Sequence, residues 1–263
     1  MDILNNIISE KLKELEYLKN SVSISRLEKS SFFKVKTKSL SKNIKQKEIG
    51  IIAEHKRKSP SKSNINHQTP TKSIINGYDN GGAAGISFLT EKKFFNGSSV
   101  EFTEARRITN LPMLRKDFII DEYQIIESKS IGADAILLIA ACLNSSQIKN
   151  LSKLAKSFDL EVLIEIHDLE DLNKSCIDSI DMIGINNRNL KTFDVNIETS
   201  LNLVENIPSS FTKISESGLN NSSEIMKLKN SGFDGFLIGE RFMKSSNPGE
   251  ELSNFISKIK NES

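Results

Sequence analysis

The sequence predicts a single (β/α)8 barrel behind an N-terminal helical extension, and three observations carry that prediction. Eight short β-rich runs recur along the chain, helical segments with recognisable ends separate them, and charged or amide side chains stand at the ends of several runs. Strands alternating with helices imply βα units and a parallel sheet. Eight such units favour a closed barrel over an open sheet, and 263 residues suit one barrel domain of about 250. No G-x-G-x-x-G or Walker pattern follows the first run, which counts against a dinucleotide fold or a P-loop.

Taken in order, Leu4, Ile7, Ile8, Leu12, Leu15 and Leu18 place an apolar stripe along an amphipathic helix over 3–18. Residues 34–48 are basic and show only a short helical signal over 40–44. They are expected to form a solvated arm packed on the barrel rather than a nucleic-acid or anion-attracting patch. The division that follows is residues 1–49 as extension and 50–263 as barrel. Strands are expected at 51–55, 83–89, 113–118, 135–139, 161–166, 182–186, 213–216 and 235–238. Between them Ser98 with Glu101 forms a capping-box pattern, and Asp121 caps a helix that Gly132 ends. Asn144 caps a helix over 145–158, Gly232 ends the helix beginning near Ser222, and Asn247-Pro248 opens the last one.

Bulk properties narrow the function. A net charge of +2 demands no polyanionic partner, so no nucleic-acid partner is expected. Two cysteines, Cys142 and Cys176, have no metal-ligand spacing and fit a reducing, cytoplasmic compartment. No apolar run approaches the roughly 20 residues of a membrane span. The sequons at Asn96, Asn144 and Asn221 are read as chance in an Asn- and Ser-rich chain.

Strands of a buried parallel sheet are normally almost wholly apolar, and ionisable groups at their ends are costly to bury. Here Glu54 and Lys56 close the first run, Lys116 lies near the end of the third, and Glu165, Asn186 and Glu216 close the fifth, sixth and seventh. With period-two alternation, Glu54 and Lys56 share a face, as do Leu114, Lys116 and Phe118, and Leu163 and Glu165. If those faces form the barrel interior, two lysines and two or three carboxylates meet at the mouth. The carboxylates keep the lysines protonated, a lysine then serves as general acid, and a carboxylate of raised pKa relays the proton. The alternative is a structural salt-bridge cluster. Ser217-Gly218 and Gly239-Glu240 follow strands 7 and 8, where barrels often bind phosphate through backbone N–H groups. His167, directly after strand 5, is expected to face away from Glu165 in a supporting or helix-capping role. His55 is expected against the helix layer, His67 in a loop, and no metal site is expected.

These residues sit in stretches that resemble the indole-3-glycerol-phosphate synthase family over nearly the whole chain. The stretches are "IIAEHKRKSPSK", "GAAGISFLTEKKFFNGS", "LPMLRKDFIIDEYQI", "GADAILLIAACL", "LEVLIEIHD", "IGINNRNLKTF", "SESGL" and "FLIGERFM". The resemblance implies ring closure, decarboxylation and dehydration of 1-(2-carboxyphenylamino)-1-deoxyribulose 5-phosphate, in tryptophan biosynthesis, with no cofactor or metal. It implies Lys116 as general acid, Lys56 as partner of the substrate carboxylate and, in some mechanistic schemes, also an acid, and Glu165 as acid/base. Glu54 would orient the lysines, Asn186 would hydrogen-bond the polyol, and Glu216 and Ser217 would line the pocket at strand 7. Ser59, Gly218, Gly239 and Glu240 would form the phosphate site, Glu240 through its backbone N–H alone. Phe95, Phe118 and Leu137 would wall in the aromatic ring.

The chain departs from the family pattern at Ser63, where many members carry glycine, and in the polar, irregular stretch after it, which is expected to form a mobile loop. It is too short to carry a fused second barrel, and a monomer is expected. Two rival readings remain: another phosphate-binding barrel isomerase, and a non-catalytic scaffold barrel. An isomerase of that kind needs no strand-3 lysine, and decay would first damage the buried ionisable positions.

Overall fold

A computed structural model describes residues 3–189 and 192–262. Eight parallel strands close into one barrel in sequence order: β1 (Gly50–His55), β2 (Gly85–Leu89), β3 (Met113–Lys116), β4 (Ala135–Ile139), β5 (Glu161–Ile166), β6 (Met182–Asn186), β7 (Thr212–Glu216) and β8 (Gly235–Ile238). Closure pairs Ile51 with Phe236 and Ile52 with Leu237. Helices α4 (Thr71–Asn80), α5 (Ser99–Arg106), α6 (Glu122–Ile131), α7 (Ser145–Ser157), α8 (Leu169–Ser175), α9 (Glu198–Leu203), α10 (Ser222–Asn230), α11 (Glu240–Met243) and α12 (Pro248–Asn261) follow the strands. Before the barrel come α1 (Ile3–Ser21), α2 (Ile24–Leu27) and α3 (Leu40–Gln46).

The period-two pattern sorts side chains as the sequence implies. Ile51, Ala53, Ile136, Leu138 and Ile164 face the helix layer, whereas Ile52, Leu114, Leu137, Leu163, Met182, Ile214 and Leu237 fill the interior. Helix ends follow their caps. Asp121 and Asn144 each form a full capping box, with Gln124 and Gln147 respectively, and Gly132 takes the left-handed conformation (φ 89°) that ends α6. Ser98 accepts from the Glu101 N–H, while the Glu101 carboxylate accepts from Thr71 instead of completing a box.

The floor of the barrel is closed by α3. Leu40 and Ile44 are fully buried among the interior residues, and a Cβ at Gly50 would stand 2.7 Å from Ile44. The Glu161 carboxylate anchors the start of this helix, accepting from the Leu40 and Ser41 N–H groups at 2.7 and 2.9 Å.

Several elements differ from the sequence reading. β3 stops at Lys116, not 118, because the Asp117 carboxylate accepts from the Phe118 N–H (2.8 Å), a local bond that competes with the ladder. β2 begins at Gly85 rather than 83. The short α2 and α11 carry too few residues for a periodic signal. On α1 the buried stripe is Ile7, Lys11 and Leu15, while Leu12 is 57% exposed. The irregular loop after β1 is organised by Arg57, whose guanidinium donates to Asn66 O, Thr69 O and Thr71 Oγ1.

Candidate active site

Strand geometry delivers Glu54, Lys116, Glu165, Asn186 and Glu216 to the C-terminal ends of β1, β3, β5, β6 and β7, above the apolar interior layer. Over them opens a cavity of about 420 Å³. Its wall includes Glu54, Lys56, Ser59, Phe95, Lys116, Phe118, Leu137, Glu165, Asn186, Ser217, Gly218, Gly239 and Glu240, so every candidate except Glu216 is brought together there.

Lys116 stands at the centre of the charge. Its Nζ donates to Glu216 Oε2 at 2.7 Å and lies 3.5 Å from Glu54 Oε2 and 4.0 Å from Glu165 Oε2. Burial disfavours the ammonium, but Glu216, Glu54 and Glu165 outweigh it and hold its pKa well above the ordinary lysine range. Lys56 pairs with Glu54 Oε1 at 2.5 Å. Burial pushes the Glu54 carboxyl up, and the two lysines more than offset this, leaving it below the usual range.

Glu216 is fully buried behind Lys116 rather than in the cavity wall. Its Oε1 has no hydrogen-bond partner and occupies the space that a side chain at Gly184 would fill. Burial pushes its pKa up, and although Lys116 pulls it down, the neighbouring Glu165 and Glu54 keep it raised. Three acidic and two basic side chains therefore share the mouth, with the Glu216 carboxyl held above its ordinary range and Glu54 below it.

The remaining walls are of two kinds. Phe95 and Phe118 meet at 6.1 Å between ring centres, with Leu137 buried beside them, which makes an apolar slot for a flat ring. On the other side Ser217 and Gly218 both take positive φ (69° and 76°), and Val195 packs against the Gly218 Cα. At Gly239 a Cβ would stand 2.5 Å from Glu54 Oε1, so this glycine makes room for the carboxylate as well as shaping the loop. The Glu240 side chain is turned to Lys62 and Lys244. Burial raises its pKa, but the two lysines bring it down to about 2.

Sequence reasoning missed part of the wall. Ile3, Leu4 and Ile7 of α1 reach over the cavity, and Arg188 faces it from the loop after β6, with its Nη1 donating to Phe193 O. The apolar spacing of α1 signals packing but not its target. Nothing in a single sequence marks Arg188 beyond its place after a strand end. His167 corrects the sequence reading. Residues 165 and 167 share parity, so the ring turns toward Glu165, with Nε2 3.8 Å from Oε1 and Nδ1 3.7 Å from Asp171. His55 does face the helix layer, stacked on Phe88 at 4.2 Å. Among the described residues no cluster of His, Cys, Asp and Glu is arranged to hold a metal ion, and no helix is long and apolar enough to cross a membrane. Of the motif stretches noted in the sequence, Leu190 and Lys191 lie outside the described residues.

Comparison with known proteins agrees with this architecture. The family model described as indole-3-glycerol phosphate synthase matches residues 4–255. A protein of that name from Bacteroides thetaiotaomicron is 44% identical over 259 residues, covering 98% of this chain and 99% of its own length. Another from Campylobacter fetus is 44% identical over 261 residues, covering 99% of this chain and all of its own. Among solved structures, thiamine phosphate pyrophosphorylase from Pyrococcus furiosus superposes with a TM-score of 0.61 at 15% identity, over 85% of this chain and 98% of that one. At that identity the likeness concerns the fold alone.

Proposed function

The chain belongs to the indole-3-glycerol phosphate synthase family, and from that membership we propose a division of labour among its site residues. The enzyme is a carboxy-lyase of tryptophan biosynthesis that converts 1-(2-carboxyphenylamino)-1-deoxyribulose 5-phosphate to indole-3-glycerol phosphate, CO2 and water.

In ring closure the aromatic carbon bearing the carboxylate attacks the ketone carbon. A C–C bond forms, and the carbonyl π pair moves onto oxygen, which needs a proton. Lys116 donates that proton, and Glu216, its hydrogen-bond partner with a raised pKa, helps replace it. Next the bond to the carboxylate breaks, CO2 leaves, and the electron pair returns to the ring. Dehydration then protonates the hydroxyl and removes a proton from the carbon beside nitrogen, with Glu165 as the acid/base.

Lys56 pairs with the substrate carboxylate while Glu54 holds both lysines in place. Asn186 hydrogen-bonds the polyol, and Phe95, Phe118 and Leu137 grip the ring. Ser59, Gly218, Gly239 and the Glu240 N–H take the phosphate, and Ser217 lines the pocket beside them. Among the described residues Arg188 makes no ion pair with a carboxylate, which leaves its charge available to the anionic end of the substrate.

The observation that carries this reading is one ammonium among three carboxylates under an aromatic-walled cavity, where a barrel interior is otherwise apolar. The test is Lys116→Ala, followed by indole fluorescence, because the chain contains no tryptophan. The expected result is a kcat lower by about 10²–10⁴ with KM little changed. Near-normal turnover would remove Lys116 from the role.

The same reading makes residues 1–49 part of one functional unit with the barrel, since α1 supplies cavity wall. It also makes the chain a cytoplasmic monomer. A closed barrel leaves no sheet edge for a second copy, and neither cysteine is in a disulfide. Light scattering near 29.4 kDa would support the monomer, and twice that mass would overturn it.

A further inference from the structure

Lys11 is 4% exposed, in the middle of the apolar stripe that buries Ile7 and Leu15, on a helix that has an apolar alternative one position later in Leu12. Its Nζ lies 2.9 Å from Asp117 Oδ1 and 2.6 Å from Glu14 Oε2. Asp117 is 2% exposed and stands between the proposed acid, Lys116, and the ring wall, Phe118. It also accepts from Thr90 Oγ1, from the Phe118 N–H, and from Arg115, which Glu127 holds in turn at 2.6 Å. One turn back along α1 from Lys11, Ile7 lines the cavity together with Ile3 and Leu4.

A buried ion pair adds little net stability over an apolar contact of the same size. What it supplies best is register: Glu14 moves with α1, so Asp117 is the partner that fixes the helix against the barrel, whereas an apolar stripe slides. A leucine at this position would dock α1 as well but would not set its rotation or axial position.

We propose that Lys11 is a positioning residue: its pairing with Asp117 sets the register of α1, so that Ile3, Leu4 and Ile7 roof the substrate's aromatic ring. The inference rests on the proposed placement of that ring between Phe95 and Phe118. Exposed pairs farther from the cavity, such as Lys19–Asp121, tether the helix without setting its register.

The experiment is Lys11→Met, with Lys11→Arg as rescue and Lys19→Met as control. Methionine keeps the apolar stem and removes the charge. The expected result is an unchanged or higher Tm with KM raised about tenfold, the effect of leaving about a tenth of the molecules in the competent register. kcat should stay within about threefold, and Lys11→Arg should recover most of the KM. Titration with indole-3-glycerol phosphate, read by its own fluorescence, makes the same comparison without turnover, so failure of the Lys116 assignment would leave it interpretable. A wild-type KM in Lys11→Met would overturn the proposal. So would a fall in Tm accompanied by equal losses in kcat and KM, which would make the pair merely structural, or a Lys19→Met effect of the same size.

Discussion

Replacing Glu54 with glutamine separates the two lysines of the site. Glu54 is 2% exposed, so an isosteric amide keeps the packing against Gly239 while removing the charge. At an effective dielectric constant of about 20, the distances to Lys116 give gross attractions of about 6 kcal/mol from Glu216, about 5 from Glu54 and about 4 from Glu165. Lys116 thus keeps roughly two thirds of its electrostatic hold and stays protonated. Lys56 fares differently. Glu54 is its one carboxylate partner among the described residues, and the variant sets it loose. A free ammonium still attracts the substrate carboxylate, so KM should hold or fall, but it no longer holds that carboxylate in line. Since about 1 Å of misplacement costs on the order of a hundredfold, kcat should drop by about that factor. Progress curves of indole fluorescence over a range of substrate concentrations separate the two constants. A kcat within about threefold of wild type, or a raised KM at constant kcat, would refute the assignment of Glu54 as the residue that orients the lysines.

Two further outcomes concern stability. Burial, with Arg57 adding to it, pushes the His55 imidazole down from 6.5 to about 3. The unfolded chain therefore takes up a proton below pH 6.5 that the folded chain refuses until about 3, and stability is lost as pH falls through that window. The loss is about 1.4 kcal/mol per unit, or about 2 kcal/mol at pH 5. His55→Phe keeps the stack on Phe88 and should shrink the drop in Tm between pH 7 and pH 5 by about 4–8 °C; equal drops in both proteins would contradict the shift. Leu40→Ala should open a void in the barrel floor and cost about 2–5 kcal/mol of stability, seen as a lowered Tm with kcat retained by the folded fraction; an unchanged Tm would show that α3 is not a plug.

The barrel was legible because its strands are short, apolar and bounded, and because Glu54, Lys116, Glu165 and Asn186 stand out against them. Parity along a strand is a local property, and it grouped Glu54 with Lys56, Lys116 with Leu114, and Glu165 with Leu163 without any knowledge of the fold. What stayed hidden depends on contacts between residues far apart in sequence. Leu12 and Lys11 exchange their expected places because Asp117, more than a hundred positions later, sits under one of them. Arg188 joins the site through the path of a loop, and Glu216 withdraws behind Lys116 because Gly184 leaves it room. The end of β3 was missed for a local reason, since the Asp117 carboxylate captures the next N–H.

The segment ahead of the barrel touches both of its ends. α1 roofs the mouth, α3 plugs the floor, and the stretch between runs down the outside, where Ser30 bonds Ser130 and Thr37 bonds Asp159 O. Its partners are made late. Lys19 meets Asp121 across 102 residues, and Ser39 meets Glu161 across 122. At about 5–20 residues per second, the ribosome releases this segment roughly 5–25 seconds before the strands that receive it. Throughout that interval the apolar stripe of α1 has nothing to dock on. The lysines and glutamates that make up much of the rest of the helix keep it soluble until Asp117 and Asp121 are made.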